Sequence, residues 1–300
     1  MTRRLWSWRR LLSQVAVISS GVALASNPAL AQGQPAKPDS TAESSSCPPP
    51  LEMGLLTPLL EKMLKPGETF DLKGLSPEAV KQIAIVMKTA DERQKADWPN
   101  LCRFAASNAK VEASGVRPDV VFMGDSITEN WERADPGLFG AKTLDRGISG
   151  QTTPQMVLRM YPDVIALRPR VVHIMAGTND ISGNTGPESD RTIVDNIRAM
   201  IVLAKANGIR VVLGAITPSA GFAARPGANP AGRIVRVNRL LEQLARNERV
   251  TFVDYHAPLR DAAGGMKAGL ANDGLHPNRD GYAIMKPLTE RAMAQALRGR

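Results

Sequence analysis

The sequence predicts an α/β fold, one doubly wound domain around a parallel sheet, and three observations carry that expectation. Short apolar runs alternate with longer amphipathic stretches throughout the chain after residue 117. Five of these runs have the length and β-branched content of strands, at 120–123, 143–145, 171–175, 211–216 and 251–253. Polar and glycine-rich segments follow the runs where a buried strand would surface, which is where open parallel sheets bind their ligands.

The elements follow in order. Arg3, Arg4, Arg9 and Arg10 form a basic head, and residues 11–25 are an apolar run interrupted by Ser13, Gln14, Ser19 and Ser20. Ala29-Leu30-Ala31 then supplies a small-x-small cleavage site, so residues 1–31 are expected to be a signal peptide cut after Ala31. The apolar run falls short of the ~20 residues a spanning helix needs, so no stable membrane insertion is expected after signal removal. No cysteine stands directly after the cleavage site, which argues against a lipid anchor. A secreted or periplasmic location follows, with the Sec and Tat routes both open.

Residues 32–50 are rich in Pro, Ser, Ala and Gln and are expected to be a flexible linker. A helical N-terminal extension is expected over 51–117. In it, Ser76-Pro77-Glu78 supplies a cap, a proline at the first helical position and an acid in the first turn of a helix running to Ala96. Cys47 and Cys102 are the chain's two cysteines. In an oxidising compartment they are best paired as one disulfide, worth roughly 4 kcal/mol of unfolded-state entropy. Two unrelated thiols are the alternative, and a metal site there would lack ligands.

The main domain is expected over 118–300. Helices are predicted from Thr153-Pro154 to about Leu167, from Asp190 to Asn207 with Gly208 as the stop, over 231–246, and over 279–297. The formal charge is +9, and the four unopposed arginines of the signal reduce it to +5 once removed. Acids and bases are interspersed and aromatic residues are only 4% of the chain, so no nucleic-acid partner is expected.

Four strand-end segments carry the chemistry. Gly124-Asp125-Ser126 delivers a serine, which needs a base and oxyanion donors to act as a nucleophile. Arg146-Gly147-Ile148-Ser149-Gly150 offers glycines that let a backbone N–H approach a ligand. Ala176-Gly177-Thr178-Asn179-Asp180 offers a neutral amide donor. Asn272-Asp273-Gly274-Leu275-His276-Pro277-Asn278 sets a carboxylate three residues before a histidine, close enough to hold one ring nitrogen while the other faces the serine.

In these four blocks the chain resembles the SGNH/GDSL hydrolase family, over about residues 118–297. The resemblance implies a three-layer α/β/α, flavodoxin-like fold with a five-stranded parallel sheet. It implies Ser126 as nucleophile, His276 as general base and Asp273 as the orienting acid. Ser126 and Gly150, through their N–H groups, and Asn179, through its side chain, would form the oxyanion hole, with no cofactor and no metal. Asp145 departs from the family pattern, where asparagine often precedes the Arg-Gly pair.

Blander roles stand beside these. Ser126 can be read as a helix cap and Asn179 as a turn residue. Asp125 and Asp180 are better read as loop and cap acceptors, and Gly147 as a turn glycine. His173, in an apolar strand, is expected to be a core residue with a satisfied ring, and His256 ends the fifth strand without an acid three residues before it.

The expected activity is hydrolysis of carboxylic esters, with short acyl groups on a carbohydrate or small molecule favoured. The 217–232 loop carries Pro218, Gly221, Ala223, Ala224, Pro226 and Gly227, with Phe222 its only large apolar residue, and nothing there resembles a long lipid tunnel. O-acyl transfer to a cell-envelope glycan, lysophospholipase or thioesterase activity, and non-catalytic glycan binding are the alternatives. Oligomeric state is left open.

Overall fold

Five parallel strands in the order β2-β1-β3-β4-β5 form the sheet. The computed structural model describes residues 47, 54–68, 75–222 and 227–298. All belong to the compact unit Ser40–Arg300. The predicted signal peptide and most of the predicted linker lie outside the described residues.

Before the sheet come α1 (Thr57–Leu64), α2 (Pro77–Ala96) and α3 (Ala105–Ser114). The Ser76 hydroxyl accepts from the Ala79 N–H at 3.2 Å, so α2 starts where its cap predicts. Cys47 and Cys102 form a disulfide with Cα atoms 5.4 Å apart, joining positions 55 residues apart.

The sheet follows, as β1 (Val120–Gly124), α4 (Ser126–Ala134), β2 (Thr143–Gly147) and α5 (Thr153–Met160). Next come β3 (Val171–Met175), α6 (Thr178–Ser182), α7 (Asp190–Ala206) and β4 (Arg210–Gly214). The chain closes with α8 (Ala231–Glu248), β5 (Thr251–Val253), α9 (His256–Leu259) and α10 (Arg279–Arg298).

Two boundaries differ from the prediction for identifiable reasons. The helix expected to reach Leu167 widens into a π turn over Tyr161–Ile165, where Ala166 N–H donates to Tyr161 O at 2.9 Å. Pro162 has no N–H to continue the α ladder. The fourth strand stops at Gly214 instead of Ile216. There Asn238 of α8 takes both backbone groups of Ile216, its Oδ1 accepting from N–H at 2.8 Å and its Nδ2 donating to O at 2.9 Å.

Every residue of β1 and β3 is buried, as expected for central strands covered on both faces. Val121, Met123, Val172, Ile174, Val211 and Leu213 belong to the core shared with α5, α7 and α8. Val120, Phe122, Val171, Met175 and Val212 belong to the opposite core, with Ile127 and Trp131 of α4 and Tyr282 and Met285 of α10. The sheet is therefore the middle of three layers.

This order places a switch point between β1 and β3, because the chain leaves β1 for one neighbour and returns to the other. Gly124 is in register with both Gly147 and Met175, so three strands end level. The segments after them emerge at one edge of the sheet.

Candidate active site

At the end of β1 the chain turns at once into α4. Asp125 is the N-cap, its Oδ1 accepting from the Ile127 N–H at 2.9 Å. Ser126 is thus the first helical residue and not the cap, and its hydroxyl is free for other work. Ser126 Oγ lies 2.9 Å from His276 Nε2.

The opposite face of the imidazole is held locally. His276 Nδ1 lies 2.6 Å from Asp273 Oδ2. Asp273 Oδ1 also accepts the backbone N–H groups of Leu275 and His276 at 2.9 and 2.8 Å, folding the loop around its own carboxylate. Asn278, wholly buried, donates to Gly269 O at 2.8 Å and accepts from the N–H groups of Asp280 and Gly281. It anchors the loop to α10 and was given no role from sequence, although an asparagine before a helical stretch is a capping signal.

The electrostatics of this pair oppose burial. Burial works to lower the His276 pKa, but the Asp273 hydrogen bond and the charges of Asp273 and Asp125 outweigh it and raise the value above the usual 6.5. Burial works to raise Asp273, and its bonds and charge interaction with His276 leave it lowered. With the imidazole neutral, Nδ1–H donates to Asp273 and Nε2 accepts from the Ser126 hydroxyl. Asp125, behind the serine, is pushed up to about 6 by burial.

Gly147 ends β2 against α4. A Cβ there would sit 2.3 Å from Glu129 N and 2.8 Å from Asp125 O, both rigid backbone. Close approach, rather than the turn geometry expected, is what requires this glycine. Gly150 has φ of 80°, a left-handed conformation that suits glycine. No backbone turn or cap bond among the described residues engages the N–H of Ser126 or of Gly150.

Asn179 lies in α6, after β3. Its Nδ2 donates to Gln151 O at 3.0 Å and reaches Asp125 Oδ2 at a long 3.4 Å. Its Oδ1 accepts from Asn184 Nδ2 at 2.9 Å, and the same Asn184 amide donates to Gly150 O at 3.0 Å. Asn184 went unnoticed in the sequence, where nothing marks it. Asp180, as expected of a structural acceptor, takes the N–H and hydroxyl of Thr153 at the start of α5.

The other candidates lie elsewhere. His173 is buried between the sheet and α10, with Nε2 2.9 Å from Tyr255 Oη, but Nδ1 has no partner among the described residues. Its ring is half satisfied, and burial lowers its pKa to about 3. His256 begins α9 with Nε2 buried and likewise unpartnered, and burial lowers its pKa too. Phe222 packs into the core shared with α5, α7 and α8, and residues 223–226 lie outside the described ones. Asp145, the departure from asparagine, accepts from the Gly147 N–H through Oδ1 at 2.5 Å.

The profile of the GDSL-like Lipase/Acylhydrolase family matches residues 122–284, which include the Ser126, Gly150, Asn179 and His276 segments. The chain belongs to this family. This GDSL-type chain is a carboxylic ester hydrolase with the SGNH hydrolase fold. It is similar to the crystal structure of a GDSL-like lipase from Bacteroides thetaiotaomicron VPI-5482, at 38% identity and a TM-score of 0.63. That likeness covers 66% of this chain and 99% of the other. Acetylxylan esterase of Geobacillus stearothermophilus is 26% identical over 196 residues, 55% of this chain and 89% of the esterase. The uncharacterized lipoprotein YqeF of Bacillus subtilis (strain 168) is 33% identical over 113 residues, 32% of this chain and 46% of YqeF.

Proposed function

We propose that this GDSL-type hydrolase cleaves esters through an acyl-enzyme on Ser126. His276 takes the proton from Ser126 Oγ as the oxygen attacks the ester carbonyl, and then gives it to the leaving alcohol. Asp273 holds the Nδ1–H tautomer and stabilises the imidazolium. Water, activated by the same imidazole, releases the acid and frees the serine. One observation carries this reading: positions 150 residues apart meet at 2.9 Å, with Asp273 bonded behind the ring at 2.6 Å.

The developing oxyanion is received by the N–H groups of Ser126 and Gly150 and by Asn179 Nδ2. The 3.4 Å contact of that amide with Asp125 is weak by hydrogen-bond standards, so its second N–H is available to the oxyanion.

The favoured substrate is a short acyl ester, acetyl above all, on a carbohydrate or small molecule. Thr217 and Ser219 after β4 are buried polar residues, and the one large apolar side chain of that loop is turned into the core. The likeness to an acetylxylan esterase supports the same choice. We place the enzyme outside the cytoplasm, secreted or periplasmic, on the strength of its disulfide. Among the described residues no helix is long and apolar enough to cross a membrane.

A series of p-nitrophenyl esters from acetate to octanoate tests the substrate class. Expected is a kcat/KM highest at acetate and falling with each longer acyl chain. A rise with chain length would overturn the short-acyl reading and favour lysophospholipase or thioesterase chemistry.

A further inference from the structure

The loop that presents the Gly150 N–H is held on both sides by side chains with no place in the proposed chemistry. On one side, Glu129 of α4 accepts from Ser149 N–H at 2.8 Å and from Ser149 Oγ at 2.6 Å, both through Oε2. On the other, Asn184 donates to Gly150 O at 3.0 Å. The peptide units before and after the Ser149–Gly150 link are thus both pinned, and the N–H between them is left free.

Glu129 is itself held. Its Oε1 accepts from Arg103 Nη2 at 2.9 Å, and Arg133 lies at 3.6 Å. Arg103 follows Cys102, which the disulfide joins to Cys47. The same segment grips the loop a second time, since Gln151 Nε2 donates to Pro99 O and Gln155 Nε2 to Trp98 O, each at 2.7 Å. Gln151 O is the acceptor that orients Asn179 Nδ2.

We propose that Glu129, braced by Arg103 from the disulfide-tied segment before the sheet, is a positioning residue that sets the Gly150 N–H for the oxyanion. Glu129 never meets the reacting atoms and acts through Ser149. Its side chain keeps only 15% exposure. Burial works against its charge, and the Ser149 bonds with Arg103 and Arg133 outweigh that and hold its carboxyl below the usual range. A carboxylate suits the position because one oxygen accepts both Ser149 bonds while the other carries the charge pairing with Arg103. This inference rests on the reading of Gly150 as an oxyanion donor.

Full-length Glu129→Ala, Glu129→Gln and Arg103→Met are compared with wild type on p-nitrophenyl acetate, with Ser126→Ala and Asn179→Ala run in parallel. Expected for Glu129→Ala is a ~10–100-fold fall in kcat, the scale of a misplaced donor. KM and the acid limb of the pH profile stay in place, because His276 is untouched. Glu129→Gln, which still accepts from Ser149 N–H, recovers part of kcat, and Arg103→Met loses less than Glu129→Ala. If Glu129→Ala does not fold, Glu129→Gln decides, a loss confined to kcat supporting the proposal. Unchanged kcat in folded Glu129 variants, or a loss confined to KM, overturns it while the Ser126 and Asn179 results keep the catalytic reading intact. Full activity in Ser126→Ala removes both.

Discussion

The two walls of the proposed site are built by different means. The base wall, residues 271–278, orients its histidine from within: Asp273 closes a turn around its own carboxylate and holds His276 three positions on, while Asn272 ties the wall outward to Lys62 O and Lys65 O. The donor wall, residues 147–151, keeps two local bonds, Gly147 N–H to Asp145 Oδ1 and Gln151 N–H to Ile148 O, and further ties come from Glu129, Asn184, Pro99 and, through Glu129, from Arg103. An orientation set from three residues away tolerates change around it, whereas a loop tied to several elements inherits the stability of each. The contrast also says where sequence reading succeeds, because local construction leaves a local pattern.

Experiments can set one wall against the other. Ser126 serves both, so Ser126→Ala has the largest expected effect, a fall in kcat of about 10⁴-fold or more with the fold intact, read by ester turnover and circular dichroism. On the base wall, Asp273→Asn is expected to lower kcat by ~10³–10⁴-fold through the wrong tautomer.

Asp273→Asn also has a pH signature. His276 must be neutral to accept the serine proton, and its pKa is raised. The wild-type kcat/KM therefore falls as pH drops through a value above 6.5, the ordinary histidine value. Losing Asp273 moves that limb to lower pH, and a limb that stays put would detach Asp273 from the base.

On the donor wall, Asn179→Ala should reduce kcat by ~10²–10³-fold with KM little changed. An effect on KM alone would make Asn179 a binding residue. A pH limb that moved in this variant would mean that the two walls are coupled, against the division drawn here.

The smallest effect concerns stability. Asp145, beneath the donor wall, is pushed up to about 8 by burial, and its Oδ2 has no partner among the described residues. Its folded pKa exceeds the unfolded value of 3.8, so the unfolded chain releases the proton first and stability declines as pH rises from about 4 to about 8. Asp145→Asn removes that decline. Thermal melts should show the variant gaining on wild type between pH 5 and pH 8, by about 1 kcal/mol or more. Parallel pH dependence in the two proteins would count against a buried neutral acid.

The legibility of the chain follows the same division. Strands at 171–175 and 251–253 were readable to the residue, because each is a short, mostly apolar run rich in β-branched residues. The meeting of Ser126, Asp273 and His276 was readable because each stands in a recognisable strand-end block. The terminus of the fourth strand was not, since it depends on Asn238 arriving from α8. Arg103 and Asn184 were equally silent, because their partners lie 26 and 34 positions away. Glu129 was silent too: it stands three residues after Ser126 on the same helix, but nothing local indicates Ser149 as its target.

The level ending of β1, β2 and β3 has an evolutionary reading. A residue inserted within any of these strands would reverse which side chains meet each layer, so the scaffold resists change there. The segment after β4 lies outside that register, and although Ile216, Thr217, Ser219 and Phe222 are buried, its exposed positions can change composition at little cost. Divergence toward a new ester is therefore expected to accumulate at those positions, with the proposed nucleophile Ser126 carried along unchanged.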